Sequence, residues 1–264
     1  MSQVQERFVS VNDSQCRVLE KGDGKPLVVI SGYGGLPRWD AFHDLLSAKR
    51  KVIAPSMPGQ FGSERGHEKL HNPLDWLAMM QDLIAACGAT APADIVATSV
   101  AGMVAGEMAA AASASLGKLV LIGSYGLYDD AEPTVNLFAQ SPAIRTKLMV
   151  DDQDKYKAVF AADPASSREE QEEWAMLAYR CDEAVARLGW PFGDVGLKRR
   201  IHRITTPTLL VWGENDRLVP PSYAKRFASG MSGPSRIEIV KGAGHLANVD
   251  QPEAVARLVL DFVG

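Results

Sequence analysis

A serine stands where an apolar, strand-like run meets an alanine-rich helical run, in Asp94-Ile95-Val96-Ala97-Thr98-Ser99-Val100-Ala101-Gly102. A turn this abrupt lifts the hydroxyl clear of a sheet only if its flanks are small, and Ala97, Ala101 and Gly102 meet that condition. The hydroxyl would also sit at the positive end of the following helix. The same serine could be an ordinary helix N-cap, so reading it as a nucleophile requires partners. A serine hydroxyl needs a base to take its proton, and the base needs a third group to orient it. Asp216 follows the apolar run 208–212, within Gly213-Glu214-Asn215-Asp216-Arg217-Leu218-Val219-Pro220. His245 follows the run 236–240, after Gly242-Ala243-Gly244. Taken singly, Asp216 reads as a turn acid and His245 as a surface histidine. Their chain order, Ser then Asp then His, and their 29-residue spacing select the joint reading. Ser99 is the expected nucleophile, His245 the base and Asp216 the orienting acid. Asp129 and Asp130, after the run 118–122, are the alternative acids.

Charge developing on a carbonyl oxygen needs two backbone N–H groups aimed at it. Val100, next to the serine, is one expected donor. The other is Tyr33, in Ser31-Gly32-Tyr33-Gly34-Gly35, where glycines let the backbone come close. The same loop could be a dinucleotide-binding turn, but Pro37 stands where the third glycine belongs and no acid lies near 52–56 to hold a ribose. No His, Cys or Asp cluster has metal-ligand spacing. The expectation is therefore no metal and no cofactor.

The elements that would position these groups follow from periodicity. Short apolar runs at 28–30, 51–54, 94–97, 118–122, 208–212 and 236–240 suit strands buried on both faces of a parallel sheet. Residues 8–11 and 17–20 suit a hairpin across Asn12-Asp13. Apolar residues at helical spacing lie in 39–46, in 76–84 after Asn72-Pro73, and in 252–262 after Pro252. Strand-helix alternation argues an α/β sheet with right-handed crossovers. From about 125 to 205 the strand signals stop and helical patterns take over, with Ser167-Arg168-Glu169-Glu170 fitting a capping box. This stretch reads as a helical cap inserted between two strands.

The 28 basic and 32 acidic residues leave a net charge of −4, and the one basic cluster, Lys198-Arg199-Arg200, reads as a helix-end cap. Nucleic acid and anionic membrane are excluded as expected partners, and a small-molecule substrate remains. Residues 1–20 are polar, without the apolar core of a signal peptide. The stretch 100–117 is alanine-rich and interrupted by Glu107, so it reads as a buried helix rather than a membrane span. Cys16, Cys87 and Cys181 fit buried thiols in a reducing compartment, which places the protein in the cytoplasm. The oligomeric state is left open, with a homodimer among the alternatives.

The sequence resembles the α/β-hydrolase superfamily, near its small bacterial carboxylesterase-like and C–C-hydrolase-like members. The resemblance covers nearly the whole chain and is carried by Ser31-Gly32-Tyr33-Gly34-Gly35, Met57-Pro58-Gly59-Gln60-Phe61-Gly62-Ser63, Thr98-Ser99-Val100-Ala101-Gly102, and the regions around Asp216 and His245. It implies an eight-stranded, mostly parallel sheet flanked by helices. A core of residues 1–124 and 206–264 would carry a helical cap, 125–205, between strands 6 and 7. The chain departs from the family at Ser31 (often His), Ser56 (often Asp), Thr98 (often His or Asn), and Ala97 and Ala101 (usually Gly). None of these departures removes a member of the triad.

The expected reaction is attack of Ser99 on a small carboxylic ester or lactone. The alternative is cleavage of a carbon–carbon bond beside a ketone, whose enzymes often carry a cap arginine; Arg180 is the candidate here. A slow-turnover ligand receptor is the reading from another class. Trp190, Val219 and Leu246 are the expected substrate contacts, with Phe138, Met149, Trp174 and Tyr179 as further parts of an apolar lid. Exhaustive chelation followed by a turnover assay is expected to leave the rate unchanged; loss of activity restored by zinc or manganese would reveal a metal site.

Overall fold

The computed structural model describes residues 3–89 and 91–264; Met1 and Ser2 of the polar start lie outside the described residues. The strands are β1 (Gln5–Val11), β2 (Ser14–Lys21), β3 (Pro26–Ile30), β4 (Lys51–Pro55), β5 (Ala93–Thr98), β6 (Leu116–Ile122), β7 (Thr208–Gly213) and β8 (Ser235–Val240). The helices are α1 (Ala41–Ser47), α2 (Pro73–Ala86), α3 (Ser99–Ala112), α4 (Pro142–Met149), α5 (Gln153–Phe160), α6 (Arg168–Gly189), α7 (Ser222–Gly230), α8 (Ala247–Asp250) and α9 (Pro252–Val263).

The strands form one eight-stranded sheet among the described residues, in the order β1-β2-β4-β3-β5-β6-β7-β8. β1 and β2 are the expected hairpin, turning at Asn12 and Asp13, which both adopt positive φ. β2 meets β4 antiparallel, and the pairs from β4 to β8 are all parallel. Every residue of β7 is buried, as is all of β5 after its first residue. That explains why these strands are mostly apolar rather than alternating, with Asp94 of β5 buried as an ion pair. One face packs against α2, α3 and part of the β6–β7 segment, where Trp76, Met80, Leu83 and Val104 lie. The other packs against α1 and α9 through Phe42, Leu46, Val255 and Val259.

Helix starts follow the capping signals. Asn72 caps α2 by accepting from Leu74 and Asp75 N–H, and Ser167 and Glu170 form both halves of the capping box on α6. The segment between β6 and β7 carries α4, α5 and α6. The stretch 100–117 holds α3, buried along most of its length. Among the described residues no helix is long and apolar enough to cross a membrane. The three cysteines are buried and free, and burial pushes the Cys181 thiol up to about 12.

The basic run does not cap an α-helix as expected. Lys198 and Arg199 lie in a short 3-10 turn, and Arg200 pairs with Glu107 of α3 at 2.7 Å. The partner is set by the docking of this loop on α3, which local sequence does not display.

A buried charge ties the sheet to the last helix. Arg50 is 2% exposed and donates to the carbonyls of Lys25, Pro26 and Gly264 and, at 2.7 Å, to Asp94. Burial alone would raise the Asp94 carboxyl; hydrogen bonds from Lys25 and Arg50 more than offset it and hold it below its usual value. Arg50→Met removes one of the two cationic partners of buried Asp94, leaves Lys25 as the other, and frees the Lys25, Pro26 and Gly264 carbonyls, so it is expected to cost about 3 kcal/mol at pH 7 by urea unfolding, the low end for a broken buried pair. A carboxyl depressed in the folded state stabilises above its unfolded pKa, about 3.9, and loses that contribution as the pH falls through the folded value. The gap between wild type and variant should therefore narrow below about pH 4.

Candidate active site

β5 ends at Thr98 and α3 begins at Ser99, whose φ is +53°. A side chain in this left-handed region costs about 1–3 kcal/mol and persists only where the surroundings impose it. Close packing imposes it here. A Cβ on Gly32 would lie 2.2 Å from the Thr98 carbonyl and 2.9 Å from the Val100 nitrogen, and one on Gly102 would lie 2.3 Å from Ser124 Oγ.

The structure brings the three sequence candidates together. His245 Nε2 lies 2.8 Å from Ser99 Oγ, and His245 Nδ1 lies 2.9 Å from Asp216 Oδ2. All three are buried. The other Asp216 oxygen accepts the N–H groups of Leu218 and Val219, each at 2.9 Å. A carboxylate only accepts, so Nδ1 must carry the hydrogen, leaving the Nε2 lone pair toward the serine. The arrangement can pass a proton from Ser99 to His245 while Asp216 holds the imidazole.

Backbone packing sets the position of the histidine. Gly244 N–H donates to Asp250 Oδ2 at 2.7 Å, and Leu246 N–H donates to the Met149 carbonyl at 2.8 Å. Asp250 also accepts from the N–H groups of Asp151 and Asp152, so one buried carboxylate links the histidine loop to the β6–β7 segment. Gly123, at the end of β6, has no room for a side chain: a Cβ would sit 2.6 Å from the His245 carbonyl. The Tyr125 ring meets the imidazole edge-on at 5.5 Å. Burial and the nearby Asp216 charge push the Tyr125 phenol well up, so it stays protonated.

The loop bearing Tyr33 lies against the serine turn. Gly32 N–H donates to Thr98 Oγ1 at 3.0 Å, and Gln60 Nε2 donates to the Gly32 carbonyl at 2.8 Å. Arg180, from α6, donates to the carbonyls of Gly59, Gln60 and Ser63. Val100 N–H lies in the first turn of α3, where backbone donors have no partner within the helix.

Asp129 is elsewhere. It pairs with Arg226, and its N–H donates to Tyr223 Oη. Val219 is fully buried and supports Asp216 through its backbone, while its carbonyl accepts from Trp212 Nε1 at 3.0 Å. Leu246 is buried next to His245. Trp190 departs from expectation: its side chain is 58% exposed. It follows the last turn of α6, and Phe192, two residues on, takes the inward position against Tyr125 and Phe138. Tyr179 is also exposed, at 76%, Met149 is buried, and Trp174 packs on Phe61. Gln60, Gly123, Tyr125 and Asp250 were missed from sequence. Gln60 lay inside a motif already singled out, whereas Asp250 carried no local signal.

A family model described as the alpha/beta hydrolase family matches residues 27–258. The 2-hydroxy-6-oxo-6-(2'-aminophenyl)hexa-2,4-dienoic acid hydrolase of Metapseudomonas resinovorans is 28% identical, over 98% of this chain and 90% of that one. The 2-hydroxy-6-oxo-2,4-heptadienoate hydrolase of Pseudomonas putida is 24% identical, over 97% and 95%. Among solved structures, a serine hydrolase involved in carbazole degradation superposes with a TM-score of 0.77 at 24% identity, covering 99% of each chain.

Of the candidate acids, Asp216 is the one in contact with His245. Asp216→Asn is expected to favour the wrong imidazole tautomer and cut turnover by about 10⁴. Asp129→Asn should leave turnover near the wild-type value. The reverse pattern, read also from the rate at which a fluorophosphonate labels Ser99, would move the acid to Asp129.

Proposed function

The chain belongs to the alpha/beta hydrolase family, and on that premise we propose that it is a serine hydrolase cleaving the carbon–carbon bond beside a ketone in a vinylogous diketone acid. The carrying observation is the Ser99–His245–Asp216 relay, with contacts of 2.8 and 2.9 Å, in a chain matched end to end by hydrolases named for 2-hydroxy-6-oxo-dienoates.

Ser99 Oγ attacks the ketone carbon and His245 Nε2 takes its proton. Asp216 stabilises the imidazolium. The Val100 and Tyr33 N–H groups hold the oxyanion, each donor being worth about 3–4 kcal/mol. Collapse of the tetrahedral adduct breaks the carbon–carbon bond. The 2-hydroxy-diene must first tautomerise to its 2-oxo form; the released carbon then passes its electron pair into that conjugated oxo group, and the resulting dienolate takes its proton from His245. Water, deprotonated by His245, then splits the acyl-Ser99 ester to a carboxylic acid. The β6–β7 segment acts as a lid over the serine.

The ester or lactone reading uses the same attack with an oxygen leaving group, which needs no conjugated acceptor. It is the second reading; the triad itself supports it, while the relatives' names support the first. The intact triad argues against a degraded binding module, while a slow-turnover receptor is separated from both readings by turnover itself.

Purified protein is to be assayed with 2-hydroxy-6-oxo-6-phenylhexa-2,4-dienoate and with p-nitrophenyl esters from acetate to palmitate. The expected kcat/KM for the dienoate exceeds that for every ester, and esters are fastest at four carbons or fewer. Ester turnover with no dienoate cleavage would select the second reading. Tight binding of either substrate without turnover would select the receptor.

A further inference from the structure

Beside the Tyr33 loop, α4, α5 and α6 border a solvent-open cleft of about 440 Å³. Its walls are largely aromatic: Tyr33, Phe61, Tyr156, Phe160 and Tyr179 line it. Tyr33 connects it to the reacting centre. Its phenol faces the cleft, while its backbone belongs to the loop packed on the Val100 nitrogen. A Cβ on the next residue, Gly34, would meet the Phe160 ring at 2.8 Å, so the loop and α5 are in direct contact there.

The charged residues lining the cleft are Arg145 of α4 and Asp182 of α6, joined at 2.7 Å. Arg145 Nε donates to the Gln140 carbonyl, its Nη1 reaches both Asp182 Oδ2 and Tyr33 Oη, and its guanidinium lies over the Phe138 ring. Asp182 also lies within hydrogen-bond reach of the Tyr33 phenol. The pair presents a donor, Arg145 Nη2, for which no protein partner appears among the described residues, beside a carboxylate with acceptor capacity remaining, and it carries no net charge. Burial and the Asp182 charge push the Tyr33 phenol up, and burial pushes Tyr156 up to about 12, so both walls remain neutral phenols.

We propose that this cleft receives an aromatic ring of the substrate bearing a neutral donor–acceptor group such as a carboxamide, and that Arg145 and Asp182 read that group together; its link to catalysis rests on the hydrolase reading of Ser99. A neutral group with both a donor and an acceptor satisfies both partners at once. A free carboxylate gains from Arg145 but is repelled by Asp182 only a few ångströms away, and an ammonium meets the opposite imbalance. An extended alkyl chain leaves both groups desolvated and unpaired. Arg145 and Asp182 are thus specificity-determining residues, separate from the triad.

The test is calorimetric titration of the intact protein with benzamide, benzoate and benzylamine, together with protection of Ser99 from a fluorophosphonate by each. Benzamide is expected to bind at least tenfold tighter than either charged probe and to protect Ser99. Asp182→Asn should shift the order toward benzoate and Arg145→Gln toward benzylamine, a reversal by charge that a merely structural role would not produce. Benzoate or benzylamine as the tightest wild-type ligand, equal binding of all three, or unchanged ratios in both variants would overturn the proposal. The wild-type order is decisive by itself if either variant fails to fold. Titration does not depend on turnover: the benzamide preference without dienoate or ester cleavage would sink the hydrolase reading alone, and cleavage without that preference would sink this one alone.

Discussion

Ser99 holds a left-handed backbone that its own chemistry disfavours, and much of the site is arranged so that this conformation is the one that fits. β5 delivers the chain in extended form, α3 takes it away as a helix, and the joint leaves one residue to absorb the change. The cost, about 1–3 kcal/mol, is offset by burial of both elements in the core. Because Ser99 is held by neighbours on both sides, its hydroxyl needs little reordering to meet His245. The glycines at 32 and 123 belong to the same constraint: each marks a place where the backbone of a triad residue or its neighbour comes too close for a Cβ, while Gly102 makes room for the Ser124 side chain.

Two polar networks carry that constraint outward. Thr98 and Gln60 fasten the Tyr33 loop, and Arg180 of α6 fastens the loop holding Gln60. Asp250 fastens the histidine loop to Asp151 and Asp152. The segment between β6 and β7 is therefore tied separately to the expected oxyanion loop and to the base. Arg180 spends its donors on backbone carbonyls, which gives the cap arginine singled out in the sequence a bracing position, and the arginine lining the cleft is Arg145.

Legibility in the sequence followed the range of the interaction. Strands β3 to β7 and helices α2, α6 and α9 were readable because buried strands are mostly apolar and caps occupy fixed offsets; β8, expected to be buried on both faces, is instead a largely exposed edge strand, because among the described residues no further strand pairs beyond it. The short α8 carried no such signal, since it consists of a few residues held by tertiary contacts after His245. Trp190 lies exposed while Phe192 turns inward, because size and apolarity do not say which way a residue at a helix end will turn.

The sequence by itself determined the kinds of element, the strand-to-helix turn at Ser99 and the identity of the three residues now found in hydrogen-bond contact. These depend on local rules: hydrophobic period, small flanks and chain order. Only the tertiary structure decided that β3 lies beside β5, bringing the Gly32 loop onto the Ser99 turn, and that β6, β7 and β8 are neighbours, setting Asp216 and His245 over Gly123. It alone placed Arg145 against Asp182, from helices 37 residues apart in the chain. Such pairings come from the summed packing of distant segments, and no single segment carries their register.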